Sequence, residues 1–132
     1  MTVCGYKIKP FAILASANLR GAELSGANLT GADLLHANLS SADLRHANLS
    51  GADLRHANLS GADLLCADLA YANLTGADLR HADLWGANLS NAKFYWTRVS
   101  SDQLMWLTLT GQITPHQAAM CKVLITKDLL TC

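Results

Sequence analysis

Apolar residues recur every five positions along most of this chain, without insertion or deletion, from Ala12 to Val99. Leucine stands at position 14 and at each fifth position through Leu89, and Phe94 and Val99 keep the register. Alanine stands two residues before each of them but Val99, which has Thr97 there, and from Ala12 through Ala92 the residue between is Asn, Asp or Glu, except at Ile13 and Lys93. Such a period fits neither the 3.6 of a helix nor the 2 of a long flat strand. On a helix it would spread leucines around the whole circumference and leave no polar face. Within one unit, however, Ala and Leu are two apart, so a short extended piece points both to one side and the residue between them outward. The other two positions carry Ser, Thr, Gly, Arg and His, which suit a turn. The pattern predicts a chain of short extended segments and corners with every Ala and Leu inside.

The flanks break this rhythm. Val3 to Lys9 alternates loosely and predicts a short strand, with Tyr6 and Ile8 on one side, Lys7 and Lys9 on the other, and Pro10 ending it. This piece is expected to lie over the first coil. After Val99, Ser100 to Gln103 has the form of a capping box, followed by Leu104, Met105, Trp106, Leu107 and Leu109, with Gly111 as a stop. Thr114, Pro115 and Gln117 mark a second start. That helix is expected to run through Ala118, Ala119, Met120, Cys121, Val123, Leu124 and Ile125, with 129–132 either extending it or leaving it. The first helix is apolar nearly all round, which predicts burial between the last coil and the second helix.

Units such as Ala27-Asn28-Leu29-Thr30-Gly31 and Ala52-Asp53-Leu54-Arg55-His56 resemble the pentapeptide-repeat family, whose consensus is A-(N/D)-L-x-x. The resemblance covers about two-thirds of the chain. It implies an all-β solenoid, a right-handed quadrilateral β-helix with four units and twenty residues per coil. The chain then divides into an N-terminal strand or cap segment, 1–10, a β-helix over 11–99, and a C-terminal cap of two short α-helices over 100–132. The repeat supplies about four coils, a rod of about 20 Å at the spacing of neighbouring strands. A single unit cannot bury its own apolar side, so stability must come from stacking.

Composition narrows the function classes. The 132 residues make one domain with a formal net charge of zero. Binding to nucleic acid or an anionic membrane is therefore not expected, since both need a clear basic excess. Cys4, Cys66, Cys121 and Cys132 show no zinc-type spacing and read as thiols in a reducing compartment; sequence alone leaves a Cys121–Cys132 bridge open. Lys7 and Lys9 precede an apolar run, Phe11 to Ala15, far shorter than the roughly 7–15 residues of a signal h-region. No stretch approaches the roughly 20 apolar residues of a membrane span. A cytoplasmic protein without a membrane segment is expected.

If residues twenty apart stack, the outward columns follow from the sequence. One face carries Glu23, Asp43, Asp63 and Asp83, beside Ser25, Arg45, Leu65 and Trp85. The opposite face carries Asp33, Asp53, Asn73 and Lys93. The acidic column reads either as a stripe for a basic partner or as the residue of ten-residue duplication, since His36–Arg45, His46–Arg55 and His56–Leu65 are near-identical blocks. Stacked like charges disfavour one another, so raised carboxylate pKa values are expected in it. Leu65 and Trp85 are large apolar groups expected to point outward, forming a patch if they cluster with Tyr71 and Cys66. Leu35 does so on another face. The candidate interaction face is therefore Glu23, Asp43, Asp63, Asp83, Arg45, Leu65 and Trp85.

Little points to chemistry. His36 shares a column with His56, and His46 with Cys66, but a metal wants three or four ligands. The serines sit at turn positions, with no strained elbow or phosphate loop. No catalytic residue, cofactor or native metal site is expected. The leading expectation is a non-catalytic module binding an unknown protein partner. The resemblance adds a topoisomerase-directed DNA mimic, against which stand the short rod and a repeat region with eight acids and six bases. A metal- or redox-responsive protein using His46 and Cys66 is the third reading. Because 1–10 gives thin cover to one open edge, an end-to-end homodimer is also admitted.

Overall fold

Each Ala-x-Leu triplet is extended and buries both apolar side chains. In the computed structural model, which describes residues 1–123, every repeat leucine from Leu19 through Leu79 is completely buried, and Phe94 and Val99 continue that core. The central residue of each triplet forms a parallel bridge with its counterpart twenty residues on. Four ladders result. They start at Ile13↔Asp33, Asn18↔Asn38, Glu23↔Asp43 and Asn28↔Asn48, and the second reaches Asp78↔Arg98. The bridges remain isolated because a side holds only three extended residues before the next corner. Within a ladder the hydrogen bonds run both ways between neighbouring coils. Asp33 donates its N–H to Ala12 C=O at 2.9 Å and accepts from Leu14 N–H at 2.7 Å, and the later coils repeat this.

The corners are closed by Ala N–H donating to the preceding Leu C=O, as Ala27 does to Leu24 at 3.0 Å. The third residue of each turn has positive φ, as at Gly26 (68°), which is the type II arrangement. Glycine does not fill them all. Ser16, His36, Ser41, His46, His56, Cys66, Tyr71, His81, Asn91 and Trp96 adopt the same left-handed conformation. The corner residue is tied down from the other side by the unit's Asn or Asp, whose Oδ1 accepts the N–H two residues on. Asn28 does this for Thr30 at 3.1 Å, Asp53 for Arg55 at 3.1 Å and Asp83 for Trp85 at 2.9 Å. The alternation of Asn and Asp thus serves a backbone purpose, since a short side-chain oxygen organises the turn. At Glu23 the carboxylate stands one methylene too far out, and Ser25 Oγ donates instead to Arg45 C=O at 3.1 Å.

The N-terminal segment is a hairpin rather than the single strand expected over Val3 to Lys9. β1 (Thr2–Val3) pairs antiparallel with β2 (Tyr6–Lys7). The chain reverses at Cys4-Gly5, with φ of 51° and 83°, the type I′ geometry that suits a two-residue hairpin loop. Ile8 joins the core, and the Tyr6 hydroxyl accepts the N–H of Asn18 at 3.4 Å.

After β3 (Arg98–Val99) come α1 (Ser101–Leu109), α2 (Pro115–Met120) and β4 (Lys122–Val123). Both helix starts use the predicted residues. Gln103 Oε1 accepts Ser100 N–H at 2.8 Å, and Thr114 and Gln117 bond reciprocally at 2.7 and 3.1 Å. Two expectations fail here. α1 buries Gln103 and Leu107, whereas Met105 and Leu109 are exposed, because one end of a rod covers only one side of a helix. α2 stops at Met120: Cys121 is extended, and β4 runs parallel to β3, so ladder hydrogen bonds replace the expected helical ones. The expected continuation through Leu124 and Ile125, and any pairing of Cys121 with Cys132, lie outside the described residues.

Candidate functional site

The face bearing Glu23, Asp43, Asp63 and Asp83 is one continuous ladder, each residue bridged to the next. Glu23 and Asp83 are exposed, and Asp43 and Asp63 half-buried. The column is not a run of unpaired charges. Arg45 donates from Nε to Asp43 Oδ1 at 2.8 Å and from Nη2 to Oδ2 at 2.5 Å, and its Nε lies 3.7 Å from Asp63. The same fork recurs at Asp53–Arg55 and at Asp78–Arg80, where Arg98 also stands 3.8 Å from Asp78.

These forks reverse the expected titration. The Arg45 side chain, then its backbone N–H, hold Asp43 at about 2 against an ordinary 3.8. Arg55 lowers Asp53 in the same way. At Asp78 burial is the largest influence and pushes upward, but the side chain and backbone N–H of Arg80 outweigh it and the carboxyl moves down. The expectation of raised values in the acidic column is therefore corrected at Asp43: a bidentate arginine two residues away holds the carboxyl down.

Leu65 and Trp85 lie one coil apart, Leu65 half-buried and Trp85 66% exposed. Tyr71 stands on a different corner, in the column of Gly51 and Asn91. The aromatic partner of Trp85 comes instead from α1: Trp106, with ring centroids 6.2 Å apart and planes tilted by 37°. Between the rod and α1 is a cleft of about 340 Å³ lined by Ala82, Asp83, Leu84, Trp85, Asp102, Gln103 and Trp106. Asp102 is held below its ordinary range, first by the Ser100 hydroxyl and then by backbone N–H groups at the start of α1. Sequence reasoning missed Asp102 and Trp106 because an apolar helix without a polar face gives no phase from which to tell which side meets the rod.

One histidine column stacks as a ring pair. His36 lies on His56 with centroids 5.1 Å apart and planes at 14°, and His56 covers Gly76, where a Cβ would sit 2.5 Å from Nδ1. Among the described residues, no three His, Cys, Asp or Glu side chains gather closely enough to hold a metal ion. No helix among them is long and apolar enough to cross a membrane.

A five-residue unit, four ladders and corners stacked twenty residues apart define a β-solenoid. The chain belongs to the pentapeptide repeat family: the model of pentapeptide repeats matches residues 12–51, 37–70 and 67–101, in eight copies. A right-handed β-helix is the fold that this membership implies. Among solved structures, the chain is 38% identical to HetL, a pentapeptide repeat protein involved in heterocyst differentiation regulation from Nostoc sp. strain PCC 7120; the match covers 67% of this chain and 47% of HetL, with a TM-score of 0.37. It thus spans about half the length of HetL. A pentapeptide repeat protein from the Arabidopsis thaliana thylakoid lumen is 31% identical over 72% of this chain and 73% of its own, with a TM-score of 0.42. Another from Nostoc PCC 7120 is 41% identical over 64% and 70%, with a TM-score of 0.39. No curated protein matches the sequence.

Proposed function

We infer that this chain is a non-catalytic protein-interaction module, a rod of about four coils whose C-terminal end is closed by α1 and α2. It presents Glu23, Asp43, Asp63, Asp83, Arg45, Leu65 and Trp85 as one docking face. The observation that carries this reading is Trp85, 66% exposed at the end of the acidic column. A large aromatic group left in water beside fixed charges is the composition of an interaction hot spot rather than of a solvated wall. Affinity capture from the native host tests it. A specific partner should be retained by the native chain and by Tyr71→Ser, and lost with Trp85→Ser; retention by Trp85→Ser overturns the reading.

Three finer statements go with it. The exposed thiols of Cys4 and Cys66 suit the cytoplasm, where they stay reduced. Phe11 and Ile13, 73% and 85% exposed at the N-terminal edge, support an end-to-end homodimer, which sedimentation equilibrium would register as twice the monomer mass. Topoisomerase mimicry gains no support, because arginine forks on Asp43, Asp53 and Asp78 interrupt the negative charge that a DNA mimic needs. Inhibition of gyrase supercoiling by the purified chain would reverse that judgement.

A further inference from the structure

Three units of the repeat read Asp-Leu-Arg, and in all three the arginine folds back on its own aspartate: Asp43 with Arg45, Asp53 with Arg55 and Asp78 with Arg80. The unit at the cleft reads Asp83-Leu84-Trp85. Tryptophan stands where those units carry the guanidinium. Asp83 Oδ1 accepts the N–H of Trp85, as every such aspartate does for its own corner residue. Its other oxygen has no arginine or lysine within ion-pairing distance among the described residues. Asp102, across the cleft on α1, likewise has no arginine or lysine within that distance among the described residues, although the Ser100 hydroxyl and backbone N–H groups already engage its carboxylate.

The remaining lining settles what kind of guest fits. Gln103 has no capacity to spare: Nε2 donates to Leu79 C=O at 2.6 Å and Ala82 C=O at 2.9 Å, while Oε1 accepts from Ser100 N–H at 2.8 Å. What is left for a ligand is two carboxylates and the two indoles, 6.2 Å apart and tilted by 37°. An uncharged apolar guest would strip water from both carboxylates and return nothing to them. A compact ammonium would satisfy charge, but a planar guanidinium both stacks on an indole and bonds a carboxylate through two parallel N–H groups.

We propose that the cleft between Asp83–Trp85 and α1 binds an arginine side chain of a protein partner, which supplies from outside the fork that Arg45, Arg55 and Arg80 supply from within. The proposal rests on the docking face inferred above and names the chemistry of its occupant. The acidic column through Asp63 leads toward the cleft and favours a basic segment around that arginine.

NMR titration of the full chain with N-acetyl-arginine amide tests it, read at the indole N–H signals of Trp85 and Trp106. Both signals should move saturably. The neutral isostere N-acetyl-citrulline amide should leave them in place, and N-acetyl-lysine amide should bind more weakly. Asp83→Asn keeps the oxygen that the corner needs and removes the charge, and Trp85→Ala removes the indole that faces Trp106 while leaving the core untouched. Each should weaken the arginine ligand by about tenfold. Citrulline or lysine binding as well as arginine, or indoles that do not respond to arginine, overturns the pocket. If the arginine ligand fails while Trp85→Ser still abolishes partner capture, the guanidinium pocket falls and the docking face stands. If Trp85→Ser keeps its partner, the docking face itself falls.

Discussion

At the scale of single residues, the polar position inside each Ala-x-Leu triplet does more than solvate the wall. Its oxygen fixes the corner that follows, at Asn28, Asp53 and Asp83 alike. Glu23 is the exception, and that gives a sharp prediction. Glu23→Asp restores the reach of the carboxylate to the N–H of Ser25 and should stabilise the chain by about 0.5–1 kcal/mol, measured by urea denaturation; an unchanged or lower midpoint would refute the role assigned to the polar position. The arginine forks give a second one. Asp43 has a folded pKa of about 2 against 3.8, and Asp53 and Asp78 shift in the same direction. A lowered folded pKa contributes stability that is present above the unfolded value and lost as pH falls through the folded one. Stability should therefore decline as the solution is acidified from 3.8 toward 2, and Arg45→Ala should flatten part of that decline, its deficit against the native chain being present at neutral pH and vanishing in acid. An equal acid slope in the two proteins would separate the fork from acid sensitivity.

At the scale of elements, one amide joins α1 to the rod beside the buried apolar contact of Leu107. Gln103 closes the N-terminal turn of α1 and takes up the carbonyls of Leu79 and Ala82 at the rim. Leu79 C=O keeps a second donor in Ala82 N–H, whereas Ala82 C=O would be left bare. Gln103→Ala should cost about 1–3 kcal/mol, the penalty of a buried unpaired polar group, and should bring Trp106 fluorescence toward that of an exposed indole. Both helix starts were legible in the sequence because Ser100–Gln103 and Thr114–Gln117 carry their own local chemistry. The face of α1 was not, because Leu104, Met105, Trp106, Leu107 and Leu109 lie all round it and only the flat end of the rod selects Leu107. The forks escaped a reading made along columns, since Asp43 and Arg45 are two residues apart in one unit rather than twenty apart in a stack. The Asp-Leu-Arg triplets carried that signal. The turn at Cys4-Gly5 was hidden by the apparent alternation of Val3 to Lys9, although Gly5 is the kind of residue on which a hairpin reverses.

For the whole molecule, the interior and the exterior follow different arithmetic. The core repeats every five residues, while the outer columns repeat every twenty. Deleting residues 46–50 therefore preserves every Ala and Leu inside but carries Asp63 and Asp83 onto a different side from Glu23 and Asp43. Deleting 41–60 removes one layer and leaves the faces aligned. Both variants should fold cooperatively with β-rich circular dichroism, but only the twenty-residue deletion should retain a partner that needs the acidic column together with Trp85. Retention by both would confine recognition to the cleft end. The constant span of the ladders also governs how the chain finds its structure. Every bridge closes a loop of the same length, so the entropic cost of closure is set by one coil and does not grow with the rod. Once two coils have paired, each further coil adds the same bonds for the same closure, so elongation can run as a zipper outward from whichever pair forms first. A longer relative built from the same units would then gain stability with each coil while its nucleation step, and hence its folding time, stayed nearly constant.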